Sequence, residues 1–132
     1  YDLHPIPDAS VDVVYTTVVF MHLEEWDRYN YVLEAMRVLK PGGRFYCDNV
    51  DLASPAGWAV FEESRSQFSP SQRPSQISKC STKPEIEAYL RHAGFEDVRV
   101  DGRLDFWVYG WGRKPGDERD GARSAQATRP DS

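Results

Sequence analysis

Arg37-Val38-Leu39-Lys40-Pro41-Gly42-Gly43-Arg44-Phe45 is the stretch on which the fold turns. Upstream of it, Tyr29, Val32, Leu33, Met36 and Leu39 recur at i, i+3, i+4, i+7 and i+10. That period puts apolar side chains on one face of a helix from about Asp27 to Lys40. Pro41 cannot continue a helix and glycine supplies a left-handed cap, so the helix is expected to stop there. Downstream, Arg44 to Asp48 reads as a strand. A helix that halts on Pro-Gly-Gly and feeds a strand is a joint of layered α/β architecture.

Working outward, the run from Val11 to Phe20 is rich in Val, Tyr, Thr and Phe, with Asp12 near its start. Nearly continuous β-branched residues predict a strand covered on both faces, as in a parallel sheet. Toward the other end, Thr82-Lys83-Pro84-Glu85 fits a capping box, with Thr82 as the N-cap and Pro in the first turn. Ile86, Tyr89, Leu90 and Ala93 then form an apolar helical face, and Gly94 ends it. Val98 and Val100 alternate with polar neighbours, which predicts a strand from about Asp97 to Asp101. Leu104 to Trp111 is an aromatic-rich last strand. The connection around Gly102 is too short for a parallel crossover, so these two strands should form an antiparallel hairpin. The pattern predicts an α/β fold with a mostly parallel sheet. Between the two halves, Ser64 to Ser81 is irregular and polar, the composition of a lid or mobile loop. Trp58, Val60 and Phe61 before it read as a short apolar helical patch that either packs on the core or caps a ligand.

Composition narrows the function classes. Among 132 residues, 16 Lys+Arg against 21 Asp+Glu give a net charge of −5, which argues against a nucleic-acid partner. No apolar run approaches the roughly 18 residues that span a bilayer, so no membrane role is expected. No leader pattern of a basic then apolar segment opens the chain. Two cysteines make no disulfide framework and suit a reducing, cytoplasmic compartment. With His4, His22 and His92 they show no structural-zinc spacing, so no metal is expected. Residues 1–112 read as one domain. From Arg113 on, alanine is the only apolar residue, so 113–132 read as a disordered tail.

Three segments in order resemble the second half of a class I S-adenosylmethionine-dependent methyltransferase. Asp2-Leu3-His4-Pro5-Ile6-Pro7-Asp8-Ala9-Ser10-Val11-Asp12-Val13-Val14 is similar to the family's approach to strand four, with His4 before the first proline and Val11 where Phe is usual. Arg37 to Phe45 is similar to its helix into strand five. Ala93-Gly94-Phe95-Glu96-Asp97-Val98 is similar to its link into strand six. The resemblance covers about residues 1–111. It implies a partial Rossmann-like sheet holding strands four to seven, the last antiparallel. It also implies that strands one to three are absent, together with the Gly-rich turn after strand one and the acidic residue that meets the cofactor ribose. The expected chain carries about half of a cofactor site, with strand four as an open edge.

The implied activity is methyl transfer from S-adenosylmethionine to a small-molecule acceptor. By motif position, Thr16, Thr17 and Val18 would border the methionine part of the cofactor; otherwise they are buried strand residues. His22, after the strand tip, could orient substrate or accept a proton, or pack at a helix start. Asp48 and Asn49, at the end of strand five, could contact substrate, with Asp48 as a base, or simply form a turn. Arg37 pairs with Glu34 on the helix surface, a structural role. Cys47 reads as a small buried hydrophobe, and Cys80, beside Lys79, has no evident His partner. Two other classes fit less well. A nicotinamide-dependent oxidoreductase is disfavoured by the Pro-Gly-Gly junction and the terminal hairpin. An interaction module would use the open edge and the tail.

Overall fold

The computed structural model describes residues 3–116. In chain order they form β1 (Val11–Thr16), a 3-10 turn (Phe20–His22), α1 (Glu25–Val38), β2 (Leu39–Val50), α2 (Pro55–Gln67), α3 (Lys83–His92), β3 (Glu96–Arg103) and β4 (Trp107–Arg113). The sheet order is β1-β2-β4-β3. β1 pairs parallel with β2, and β4 pairs antiparallel with both β2 and β3. Three strands therefore run one way and β4 opposes them, as the short β3–β4 connection requires.

The core lies on one face of this sheet. Phe45 and Cys47 of β2 and Val108 of β4 meet Val32 and Ala35 of α1 and Ile86 and Leu90 of α3, all buried. Phe45 stacks on Phe95 with ring centroids 5.4 Å apart. Each such side chain contributes about 1.5–3 kcal/mol when fully buried. α3 rides so close to β4 that a Cβ at Gly110 would stand 2.6 Å from Ile86 Cγ2.

Several details depart from the sequence reading, each for a local reason. The α1 helix ends at Val38, not on Pro-Gly-Gly, because Leu39 is already extended. Leu39 pairs with Val11 and Arg44 with Val13, so Lys40 to Gly43 bulge out of the ladder. Gly42 takes φ +81° in that bulge, a conformation that glycine adopts freely. The buried face of α1 is Arg28, Val32, Ala35 and Val38, rotated from the expected stripe; Leu33 is exposed. The first strand stops at Thr16 instead of running to Phe20. It is covered on one face only, with Val13 59% and Tyr15 70% exposed. β1 stands at one end of the four-stranded order.

Helical structure extends further than the irregular reading of Ser64 to Ser81. Pro55 occupies the first turn of α2 and the Ser54 hydroxyl caps it by accepting from Gly57 N–H at 3.0 Å. Thr82 does begin α3, but its side chain makes no cap bond. Glu85 does not reach back to close the box, because Arg28 and Ser81 engage its carboxylate. The hairpin turns at Leu104 and Asp105, both with positive φ, while Gly102 lies inside β3. Arg113, assigned to the tail by composition, closes β4, and Lys114 N–H donates to Gly43 O at 2.8 Å. The rest of the expected tail, from 117 on, lies outside the described residues.

Candidate functional site

The carboxyl ends of β1 and β2 lie side by side, with Thr16 opposite Cys47. In open α/β sheets this end is where ligands sit. The chain turns sharply after Thr16. Val18 holds φ +59°, an uncommon conformation for a β-branched residue. Its N–H donates to Asp48 Oδ1 at 3.1 Å. Two residues singled out for different roles, Val18 and Asp48, are thus joined directly.

Asp48 is not a turn residue. It lies within β2, opposite Tyr109, and is 9% exposed. Tyr46, two residues back on the same face, donates its hydroxyl to Asp48 Oδ2 at 3.3 Å. Burial raises the Asp48 pKa above the ordinary carboxylate range, and the Val18 N–H, the Tyr46 hydroxyl and Arg103 oppose that shift only partly. Burial and the neighbouring carboxylate likewise raise the Tyr46 phenol. Tyr46 is held in place by stacking on Tyr109 and by an edge contact with Trp111, at 6.1 and 5.2 Å between centroids. The result is a carboxylate of increased basicity aimed at a strand tip.

Thr16 is 3% exposed, and its Oγ1 is buried without a hydrogen-bond partner among the described residues. Buried hydroxyls are normally satisfied, so this one is an exception. Thr17 and Val18 are exposed at the same tip. The three residues stand in sequence at the end of β1 and the sharp turn that leaves it. His22 stands apart. It is exposed in the 3-10 turn, with its backbone N–H donating to Val19 O at 3.0 Å, and no hydrogen bond joins it to Asp48 among the described residues.

Asn49 faces the other way and ties the structure together. Its Nδ2 donates to Lys79 O at 2.9 Å and Ser81 Oγ at 2.7 Å. The same segment is gripped by Arg28, which sequence reasoning passed over. Arg28 is 2% exposed. It donates to Phe20 O, Lys79 O, Cys80 O, Ser81 Oγ and both oxygens of Glu85. The clamp holds residues 79–81 against the 3-10 turn that follows the strand tip. Its signal was present: Arg28 falls in helical phase with Val32 and Ala35, a charge on a buried stripe. Arg37, by contrast, pairs with Glu34 at 2.9 Å as expected, and also reaches Leu3 O, Ile6 O and Asp8. Cys47 is buried, and burial pushes its thiol well up, which leaves it inert. Among the described residues no group of His, Cys, Asp and Glu is placed to hold a metal ion, and no helix is long and apolar enough to cross a membrane.

A family model described as a methyltransferase domain matches residues 1–47, the span that runs into the β1–α1–β2 unit. The chain is 31% identical over 99 residues to a malonyl-[acyl-carrier protein] O-methyltransferase of Methylococcus capsulatus, covering 75% of this chain and 33% of that one. The chain belongs to the class I S-adenosylmethionine-dependent methyltransferase family. A second relative of this methyltransferase chain is the 27-O-demethylrifamycin SV methyltransferase of Amycolatopsis mediterranei, 34% identical over 112 residues, or 81% of this chain and 37% of that one. Among solved structures, an S-adenosylmethionine-dependent methyltransferase from Archaeoglobus fulgidus superposes with a TM-score of 0.66 at 12% identity, over 85% of this chain and 63% of that one. That likeness shows a shared fold. The chain spans about a third of the length of the curated relatives it matches. The family's cofactor is S-adenosylmethionine.

Proposed function

We propose that these residues serve methyl transfer from S-adenosylmethionine to a small-molecule acceptor, and that β1 to β4 correspond to strands four to seven of the family sheet. The observation that carries this reading is the tip of β1, where an unpartnered Thr16 hydroxyl and the left-handed Val18 adjoin a buried carboxylate. S-adenosylmethionine supplies a methyl group on a sulfonium, an already activated leaving group. The protein then has to hold an acceptor in line and take up its proton when needed. Thr16, Thr17 and Val18 would border the cofactor as one flank of its site. Asp48, with its raised pKa, would accept a proton from the acceptor, and exposed His22 would orient it. Names of relatives support the class of reaction.

The test is amide chemical-shift mapping of the isotope-labelled chain during titration with S-adenosylmethionine. Millimolar cofactor is expected to shift Thr16, Thr17, Val18 and Asp48, with NAD giving no such pattern. Shifts confined to other strands would refute the site. Micromolar affinity for this chain alone, measured by calorimetry, would refute the reading of these residues as a single flank.

A further inference from the structure

Beside the strand tips, between α2 and residues 73–80, lies an open cleft of about 510 Å³. Its carbon surface comes from Leu52, Phe61 and Ile77, and Arg65, Arg73 and Lys79 also line it. Buried Arg28 forms part of its wall. On a chain of net charge −5 this concentration of cations is local and opposes the overall field. Three of the four have their charges met. Arg28 pairs with Glu85, Arg65 with Glu62 and Lys79 with Glu24, at 2.9, 2.8 and 2.8 Å, and none of those carboxylates lines the cleft. Arg73 has no ion pair among the described residues. The lining carboxylate, Glu25, sits in the first turn of α1, where the positive end of the helix dipole offsets its charge.

We infer that this cleft binds an amphipathic anion, a molecule with an aliphatic or aromatic body and one carboxylate or equivalent acid group placed on Arg73. An apolar lining with a few convergent polar groups is the usual make-up of a small-molecule site. A guanidinium gives a carboxylate paired, charge-assisted hydrogen bonds. Lys79 N–H donates to Met21 O at 2.9 Å and Asn49 grips Lys79 O, so the cleft wall is fastened to the 3-10 turn after β1 and to the end of β2. The wall meets β2 through Asn49, whose side chain faces away from Asp48. The binding stands on the cleft alone, apart from the methyl-transfer reading above.

Cys80 lines the cleft, is half-buried and reports on its occupancy; Cys47 is fully buried and stays silent. The probes are octanoate, octanamide and octylamine, which share a chain length and differ in charge. The readout is the rate of Cys80 alkylation by iodoacetamide in the folded 132-residue chain. Octanoate is expected to protect at a concentration roughly tenfold lower than octanamide, the scale of one charge-assisted hydrogen bond. Octylamine should protect least. Arg73→Gln, an exposed change that leaves the circular dichroism spectrum intact, should erase the octanoate advantage, and Phe61→Ser should weaken octanoate and octanamide alike. Equal protection by all three probes, stronger protection by octylamine, or no protection at millimolar octanoate would overturn the inference. No S-adenosylmethionine is present, so failure of the methyl-transfer reading leaves this result unchanged.

Discussion

Arg28→Lys keeps a positive charge on α1 and is expected to destabilise the protein by about 3 kcal/mol. Arginine here works as a fork: Nε serves Phe20 O at 2.9 Å, Nη2 serves Lys79 O at 3.1 Å, and Nη1 serves Glu85, Ser81 and Cys80. Lysine offers three donors on a single nitrogen and cannot reproduce that spread. Drawn to Glu85, it must give up the charged bonds to the carbonyls of Phe20 and Lys79, which keep only Leu23 N–H and Asn49 Nδ2 as donors. Each hydrogen bond from a charged donor that is lost costs about 1.5–3 kcal/mol, so two give about 3–6 kcal/mol. The Lys79 carbonyl is only partly buried and can recruit water, which places the total near the lower part of that range. At about 4 °C per kcal/mol for a domain of this size, Tm falls by about 12 °C. Urea unfolding followed by far-UV circular dichroism measures the loss. Limited proteolysis should show faster cutting within residues 68–78, since their anchor at 79–81 is loosened. A lysine variant within about 0.5 kcal/mol of the parent, the range of ordinary surface changes, would refute the argument that donor geometry outweighs charge at this site.

Two further outcomes test the strand tip. Thr16→Val should raise stability by about 1 kcal/mol, because it removes a buried hydroxyl that has no protein partner, while it weakens the S-adenosylmethionine shifts; a loss of stability in denaturant titration would show that the hydroxyl is satisfied. Asp48→Asn should be at least as stable as the parent at pH 7. The folded-state pKa of Asp48 is raised, so the folded state binds the proton more tightly, and the parent loses stability as pH rises from the ordinary carboxylate range through that raised value. The asparagine advantage should therefore vanish in acid, below the ordinary carboxylate range, and a variant less stable than the parent at pH 7 but not in acid would contradict the sign.

Part of this protein is legible one residue at a time, and part is not. The α/β class, the strands before and after α1, the α3 face of Ile86 and Leu90, and the antiparallel hairpin all follow from periods and connection lengths. Those are properties of neighbours in the chain, where backbone geometry acts directly. The motif segments around Val11 to Val14 and Arg37 to Phe45 place Thr16, Val18 and Asp48 toward the same end of the sheet for the same reason, since both strands run in the direction the segments imply.

What the chain order does not contain is the choice among equally good local options. Glu85 can close a capping box or neutralise Arg28; the folded core makes the second better, because a buried guanidinium without a partner costs far more than a missing cap. Asp48 can form a turn or face a strand tip, and only the antiparallel pairing of β2 with β4 extends β2 past it. Pro-Gly-Gly can end a helix or bulge a ladder, and the register of β1 on β2 decides for the bulge. The cleft beneath α2 depends most of all on tertiary structure. Residues 25, 28, 52, 61, 65, 73, 77, 79 and 80 meet there because a buried arginine holds residues 79–81 onto the first helix. Sequence separation carries no trace of that pull, which is electrostatic and acts across more than fifty residues of chain.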